Sequence, residues 1–159
     1  MSKTSSAPVL SVSKSVTIDA PPDRVWETVS RFDSLESWHP AVRRTEIISG
    51  KSQSAGAVRR LTLGDGGTIR EELLAMYPAR RRFRYAILDG VLPVTAYESS
   101  VHVDELDEHT TKVTWSGTFK RKDQGPQPAE GADDATATGT MAAVYQAGLD
   151  NLKSIFARK

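Results

Sequence analysis

The chain has 159 residues, carries 21 basic and 20 acidic side chains, and contains no cysteine. A formal net charge of +1 argues against a protein that binds nucleic acid through phosphate contacts. The absence of cysteine excludes disulfides, thiolate metal sites and a cysteine nucleophile. The start of the chain lacks the apolar run of a signal peptide, and no window is apolar enough to span a membrane, so the expected localisation is cytoplasmic.

The N-terminal third predicts a strand followed by two short helices. Residues 1–8 are expected to form a disordered tail, and the length predicts a single domain over residues 9–159. Alternating apolar residues over 9–19 predict a half-buried strand. The segment "DAPPDRVWETVSRF" then changes to helical periodicity, with its proline pair at the helix entry. A second short helix is predicted over "SLESW", and it ends before Pro40 because a residue that precedes proline avoids the α region.

The rest of the chain predicts strands and one long helix. Turn sequences such as "GDGG" and "LDGVLP" separate six further segments of β-type residues. These segments are Arg43–Ser49, Ala57–Leu63, Thr68–Met76, Arg81–Leu88, Val94–Val103 and Lys112–Phe119. After a long loop, "KRKDQGPQPAEGADD", helical periodicity runs from about 135 to 159. This order predicts an α+β fold in which a curved seven-stranded antiparallel sheet wraps around the C-terminal helix, with an apolar cavity between them.

Several motifs resemble the START-like superfamily, also called Bet v 1-like or SRPBCC, whose architecture is the helix-grip fold. They are "SVTIDAPPDRVWETVSRFDSLESWHP", "GAVRRLTL", "TIREELL", "RFRYAILDGVLPVTAYESSVHV", "VTWSGTF" and "AGLDNLKSIF", and they extend from about residue 15 to 156. The combination of "WHP", "GxVR" and "LPVTxY" is similar to the bacterial polyketide cyclase/dehydrase-type branch. Plant abscisic-acid receptors are more distantly similar. The resemblance implies a cavity that holds a lipid, isoprenoid or polyketide-like molecule.

The resemblance also implies some site residues. In the receptors, a charged group early in the second strand meets the ligand carboxylate, and the match here is Arg43, or Arg44 if the register differs by one. An acidic residue of the fourth strand matches Glu71, and an aromatic hydroxyl of the sixth matches Tyr97. The loops "GDGG" and "VLPV" correspond to the receptors' gate and latch. They lack the receptors' own residues there, so hormone recognition is not carried over.

Strand alternation identifies an inward-facing carboxylate. Glu71 and Glu72 are adjacent and point to opposite faces of a strand, and Glu71 shares the parity of Ile69. A buried carboxylate costs several kcal/mol unless it is paired, which is the effective desolvation penalty of one ion. Arg59 shares the parity of Leu61 and Leu63, so it is the candidate ion-pair partner of Glu71. The pair is either a structural clamp or a group that orients a ligand.

The remaining candidates each have a structural alternative. His39, in "WHP", either contacts a ligand at the cavity entrance, where it could act as a general base near neutral pH, or has a structural place in which it caps the short helix or faces water. Aromatic residues and a methionine offer area and a polar or adaptable group to a ligand, but the same residues also fill ordinary cores. These candidates are Tyr85, Tyr97, Trp115, Met141 and Tyr145. Three dispersed histidines supply no metal-site spacing, so neither a metal nor another cofactor is expected.

The leading hypothesis is binding or transport of a small hydrophobic molecule without chemistry, because no nucleophile–base pair or phosphate loop appears in the sequence. The alternative is a metal-independent cyclase, dehydrase or isomerase in which His39, Glu71 or Tyr97 moves protons. A third hypothesis is that a ligand closes the loops at 64–67 and 90–94 and creates a surface for a protein partner. A weak homodimer is a further hypothesis.

Overall fold

The structure, a computed structural model, describes residues 7–157. Residues 1–6 of the predicted tail lie outside the described residues, as do 158 and 159. At the start of the described chain, Ala7 is buried and its backbone N–H donates to Oε1 of Gln124 at 3.3 Å.

Seven strands form one antiparallel sheet, as predicted. They are β1 (Leu10–Ile18), β2 (Val42–Ser49), β3 (Val58–Leu63), β4 (Thr68–Tyr77), β5 (Arg82–Gly90), β6 (Val94–Asp107) and β7 (Thr110–Arg121). Their order across the sheet is β1-β7-β6-β5-β4-β3-β2, so that β1 and β2 are the two edges. Every neighbouring pair is antiparallel. Together with the long C-terminal helix this is the predicted α+β, helix-grip architecture.

Two α-helices accompany the sheet, α1 (Pro22–Val29) and α2 (Asp134–Ala157). Pro22 occupies the first turn of α1, where its missing N–H has no intrahelical partner to lose. The predicted second short helix is present in 3₁₀ form. Its residues make a single 3₁₀ turn at Leu35–Ser37, because the chain extends soon afterwards to pass Pro40 and enter β2. A further 3₁₀ turn at Pro78–Arg80 links β4 to β5.

The position of α2 determines where a cavity can form. This 24-residue helix packs mainly against β1 and β7 and buries one face. The buried positions of that face are Ala137, Met141, Tyr145, Gly148, Leu149, Leu152 and Phe156. Because the helix covers mainly this side of the sheet, the concave surface of β3, β4 and β5 is left to side chains from the sheet itself, the 3₁₀ turn and the loops.

The long loop between β7 and α2 is organised by Arg121. Its guanidinium donates from Nε to the carbonyl of Asp123 at 2.6 Å and from Nη2 to the carbonyl of Gly125 at 2.8 Å. Its Nη1 bonds Oδ1 of Asp134, in the first turn of α2, at 2.8 Å. Arg121 is buried, so its guanidinium lies beneath the loop and links the loop to the first turn of α2.

Candidate functional site

A partly enclosed, largely apolar cavity of about 70 Å³ lies between the sheet and the N-terminal half of α2. Its apolar walls are Leu35, Ala41, Val42, Leu61, Leu63, Ile69, Ile87, Leu92, Met141 and Val144. Its polar and aromatic walls are His39, Glu71, Tyr85, Tyr97 and Trp115. At about 30 Å³ per water molecule, this volume corresponds to about two waters, and it is about half that of an engineered apolar cavity of ~150 Å³ that binds benzene.

Two loops meet at one end of the cavity, residues 64–67 between β3 and β4 and residues 91–93 between β5 and β6. Leu92 of the second loop lines the cavity, and so does Leu63 just before the first. The loops contact each other closely, since a Cβ atom on Gly67 would lie 3.2 Å from both Cγ atoms of Val91. The side chain of Val91 is 56% exposed. These two loops therefore border this end of the cavity.

The predicted Arg59–Glu71 pair is present and buried. The two residues face each other in the β3–β4 ladder, and Nε and Nη2 of Arg59 donate to Oε1 of Glu71 at 2.9 and 2.7 Å. Nη1 donates to the carbonyl of Phe32 at 3.0 Å, and the guanidinium lies 4.0 Å from the centre of the Phe32 ring. Within residues 7–157, the second oxygen of Glu71, Oε2, accepts no hydrogen bond.

The electrostatics of Glu71 reflect two opposing effects. Burial raises the pKa of Glu71 above its ordinary value, because the charged form loses its hydration. The charge of Arg59 and its hydrogen bonds lower this pKa, but burial is the larger effect. The cavity therefore contains one carboxyl group whose proton is held more tightly than in water.

Three buried tyrosines form a chain of hydroxyl groups beside this pair. The hydroxyl of Tyr85 lies 2.9 Å from that of Tyr97, which lies 2.5 Å from that of Tyr145. The chain continues from Tyr145 to Oγ of Ser99 at 3.3 Å. The indole N–H of Trp115 donates to both ends, to Tyr85 and to Ser99, at 3.0 Å each. The five groups form one closed polar network inside the sheet.

The three phenols remain protonated. Burial raises the pKa of Tyr145 to about 12, and it raises the pKa values of Tyr85 and Tyr97 well above the ordinary value. The charge of Glu71 and the neighbouring Tyr145 raise the pKa of Tyr85 further, whereas the hydrogen bond to Tyr97 lowers it. At neutral pH the network is therefore uncharged and its groups act through hydrogen bonds.

His39 is held by two backbone groups. Its Nδ1 accepts the N–H of Ala41 at 3.2 Å, so Nε2 carries the proton and donates to the carbonyl of Val144 on α2 at 2.8 Å. Burial lowers the pKa of His39, and the charge of Arg59 lowers it further, although the bond to the Val144 carbonyl has the opposite effect. The neutral ring thus joins the "WHP" segment to the final helix, with both nitrogens engaged.

Six of the nine predicted site residues line the cavity: His39, Glu71, Tyr85, Tyr97, Trp115 and Met141. Arg59 and Tyr145 are buried one contact away, through Glu71 and Tyr97. Arg43 does not reach the cavity. It is exposed within a bulge of β2 between Val42 and Arg44, and its neighbour Val42 takes the inward position.

Sequence reasoning missed two small residues on which the network depends. Ser99 shares the inward parity of Tyr97, and a polar residue in that alternation was a usable signal. Gly117 shares the parity of Trp115, and a Cβ atom there would lie 2.1 Å from the hydroxyl of Tyr145. Gly148 of α2 permits a close approach between the helix and the "WHP" segment. A Cβ atom at this position would lie 2.6 Å from Cδ2 of His39.

Within the described part of the chain, no group of three or more His, Cys, Asp or Glu side chains is placed to hold a metal ion. Over the same residues, 7–157, no helix is both long and apolar enough to cross a bilayer.

The chain is similar to known proteins over nearly its whole length. A family model described as polyketide cyclase / dehydrase and lipid transport matches residues 9–157. No curated protein sequence matches the chain significantly.

Solved structures share the fold. The protein XoxI from Bacillus cereus is 30% identical, with a TM-score of 0.80 over 92% of this chain and 95% of its own. The Zhui aromatase/cyclase from Streptomyces sp. R1128 is 23% identical, with a TM-score of 0.76 over 95% of each chain. Ara h 8.0201 is 18% identical, with a TM-score of 0.72 over 96% of this chain and 100% of its own.

The extent of the family match and the shared architecture agree with the motifs of the sequence. The chain belongs to the polyketide cyclase/dehydrase and lipid transport family, and it has the fold of the START-like, or SRPBCC, superfamily.

Proposed function

We propose that this protein binds a small hydrophobic molecule in the cavity between the sheet and α2 and releases it unchanged. The observation that supports this most strongly is the combination of a partly enclosed, largely apolar space with one carboxylate oxygen, Oε2 of Glu71, that accepts no hydrogen bond within residues 7–157. Ligand sites are largely apolar, with few polar groups that fix orientation, and this cavity has that composition.

The cavity volume implies a closed state and an open state. A space of about 70 Å³ is too small for a lipid or a polyketide. Binding of such a molecule therefore includes a movement of the loops at 64–67 and 91–93, which border the cavity at Leu63 and Leu92. Leu92 then moves with its loop and enlarges the space from that end.

An enzyme of the cyclase or dehydrase type is the second candidate, and Glu71 is the observation that favours it. Burial raises the pKa of this carboxyl group toward the range in which a general acid or base works well. His39 is a poor base in this arrangement, because both of its ring nitrogens are engaged by backbone groups. In this second candidate, Glu71 is therefore the general acid or base.

A matched pair of helix variants tests the binding proposal. Val144→Phe places a larger side chain at a half-buried position that lines the cavity, whereas Ala143→Phe adds the same ring at the neighbouring exposed position. Native mass spectrometry of protein taken directly from a cell extract should show a bound small molecule in the parent and in Ala143→Phe, but not in Val144→Phe. Equal occupancy of both variants, or no bound molecule in the parent, would count against the proposal.

The second candidate is tested by turnover of whatever molecule is recovered. Glu71→Gln should abolish turnover and change affinity by less than about tenfold, or 1.4 kcal/mol, if Glu71 is a catalytic acid or base. If the protein only binds, the recovered molecule is chemically unchanged after prolonged incubation with excess protein. Conversion that depends on Glu71 would replace the binding proposal with the enzymatic one.

A further inference from the structure

The hydroxyl protons of the tyrosine network can be assigned one by one. Oγ of Ser99 lies 2.7 Å from the carbonyl of Ser116, which can only accept, so the single proton of Ser99 is directed there. The contact between Tyr145 and Ser99 must then use the proton of Tyr145. Ser99 is thus the end of the chain, and its direction follows from a backbone carbonyl.

The same reasoning passes along the chain. Because Tyr145 donates to Ser99, the 2.5 Å contact with Tyr97 must use the proton of Tyr97. The 2.9 Å contact between Tyr97 and Tyr85 must in turn use the proton of Tyr85. The indole N–H of Trp115 is directed to Tyr85 and Ser99. Every O–H and N–H of these five side chains therefore has a partner within the network.

The two other polar side chains at the cavity wall also lack a free proton to donate. Nε2–H of His39 is directed to the carbonyl of Val144, and Nδ1 already accepts. Glu71 forms a buried ion pair with Arg59, which stabilises the carboxylate, so Oε2 is presented as an acceptor. Thus the polar side chains that line the cavity offer lone pairs to its contents and no hydrogen atoms.

We propose that the cavity selects apolar molecules that carry a hydrogen-bond donor, namely an alcohol, a phenol or an amine, over ketones and carboxylates of the same shape. This inference rests on the proposed function, because it names the chemical class of the molecule bound in the same cavity. A donor meets Oε2 of Glu71 or a phenol oxygen, whereas a ketone oxygen would face only other lone pairs and lose its hydration without replacement.

Carboxylates are disfavoured for an additional reason. The buried guanidinium of Arg59 is already bonded to Glu71 and to the carbonyl of Phe32, and Arg43 is exposed outside the cavity. A ligand carboxylate would therefore lie beside Glu71 without a free cation. Recognition of a ligand carboxylate, which the resemblance to hormone receptors would assign to Arg43, has no counterpart in this cavity.

Cyclohexanol and cyclohexanone are suitable probes because they have nearly the same shape and differ in the donor. Each is titrated into isotope-labelled full-length protein, with the backbone amides and the indole N–H of Trp115 followed by NMR. The alcohol should bind about tenfold more tightly, the size expected for one unmatched buried polar group. Equal affinities, or tighter binding of the ketone, would refute the proposed preference for hydrogen-bond donors and leave the binding proposal intact. Shifts with neither probe would count against both.

Two Tyr→Phe variants separate the proton assignment from general packing. Tyr97→Phe removes the acceptor of Tyr85, whose freed O–H can then point into the cavity. Tyr85→Phe removes a hydroxyl from the same wall but leaves Tyr97 bonded to Tyr145, so no donor is freed. The preference for the alcohol should fall severalfold in Tyr97→Phe and persist in Tyr85→Phe. The same ratio in both variants, or a fall only in Tyr85→Phe, would refute the assigned direction.

Discussion

Gly148 on α2 offers a sharp test of how the helix and the "WHP" segment fit together. Glycine is normally a poor helix residue, and replacing it by alanine within a helix gains about 1 kcal/mol. At this position, however, the new Cβ would lie 2.6 Å from Cδ2 of His39 and about 3 Å from the rings of Trp115 and Trp38. Carbon atoms pack at about 3.5–4.0 Å, so the closest contact is about 1 Å too short.

The expected free-energy change follows from these two effects. Overpacking of a well-packed core costs about 1–3 kcal/mol, which exceeds the gain in helix propensity. Gly148→Ala should therefore reduce the free energy of unfolding by about 1 kcal/mol. Gly139→Ala is the matched control, because Gly139 lies on the same helix with no heavy atom within 4 Å of an added Cβ. It should increase the free energy of unfolding by about 1 kcal/mol.

Urea unfolding followed by tryptophan fluorescence would measure both variants against the parent. For a chain of this size, a difference of about 2 kcal/mol corresponds to about 4–8 °C between the melting temperatures of the two variants. If Gly148→Ala is as stable as Gly139→Ala, the rings of His39 and Trp115 do not pack against the helix backbone as described. His39 would then not join the "WHP" segment to α2.

Three further predictions concern buried polar groups. The pKa of His39 is lowered in the folded protein, so the stability that the neutral ring contributes is complete above about pH 6.5 and is lost as the pH falls. His39→Gln removes this titration, and the urea midpoint should therefore decline less between pH 7.5 and pH 5.5 in the variant than in the parent. Arg59→Met should lower the free energy of unfolding by about 3–5 kcal/mol, since it leaves the carboxylate of Glu71 unpaired, and adding Glu71→Leu should restore most of it in denaturant titrations. Arg121→Lys should accelerate limited proteolysis within residues 122–133, because a lysine cannot reproduce the three guanidinium contacts.

The strand pattern could be predicted from the sequence because it depends on local alternation and turn chemistry. Inward parity alone placed Glu71 opposite Arg59, and the β3–β4 register confirms that pairing. Arg43 was assigned to the cavity by the resemblance to the receptors, and the structure places it outside the cavity. Its inward or outward position is set by a bulge in β2, and a bulge leaves no mark in the alternation of neighbouring residues.

The hydroxyl network could not be predicted because it depends on distances between elements that are far apart in the chain. Tyr97 and Tyr145 are separated by 48 positions, and their contact requires that residue 117 has no side chain. The sequence shows that residue 117 is a glycine but does not show why, since a glycine within a strand is equally consistent with a bulge or a bend. The volume of the cavity was likewise inaccessible, because it depends on how two loops pack.

The Arg59–Glu71 pair links stability to the choice of ligand. A buried ion pair is usually no better for stability than apolar residues of similar volume, so stability alone does not account for this pair. The pair does control which groups face the cavity. Arg59 donates to Oε1 of Glu71 and leaves Oε2 as an acceptor. Every hydroxyl proton of the neighbouring tyrosine network is already donated within the protein. A Met–Leu replacement that restores folding should therefore also weaken the preference for cyclohexanol over cyclohexanone, and an unchanged preference would mean that the phenol oxygens alone select the ligand.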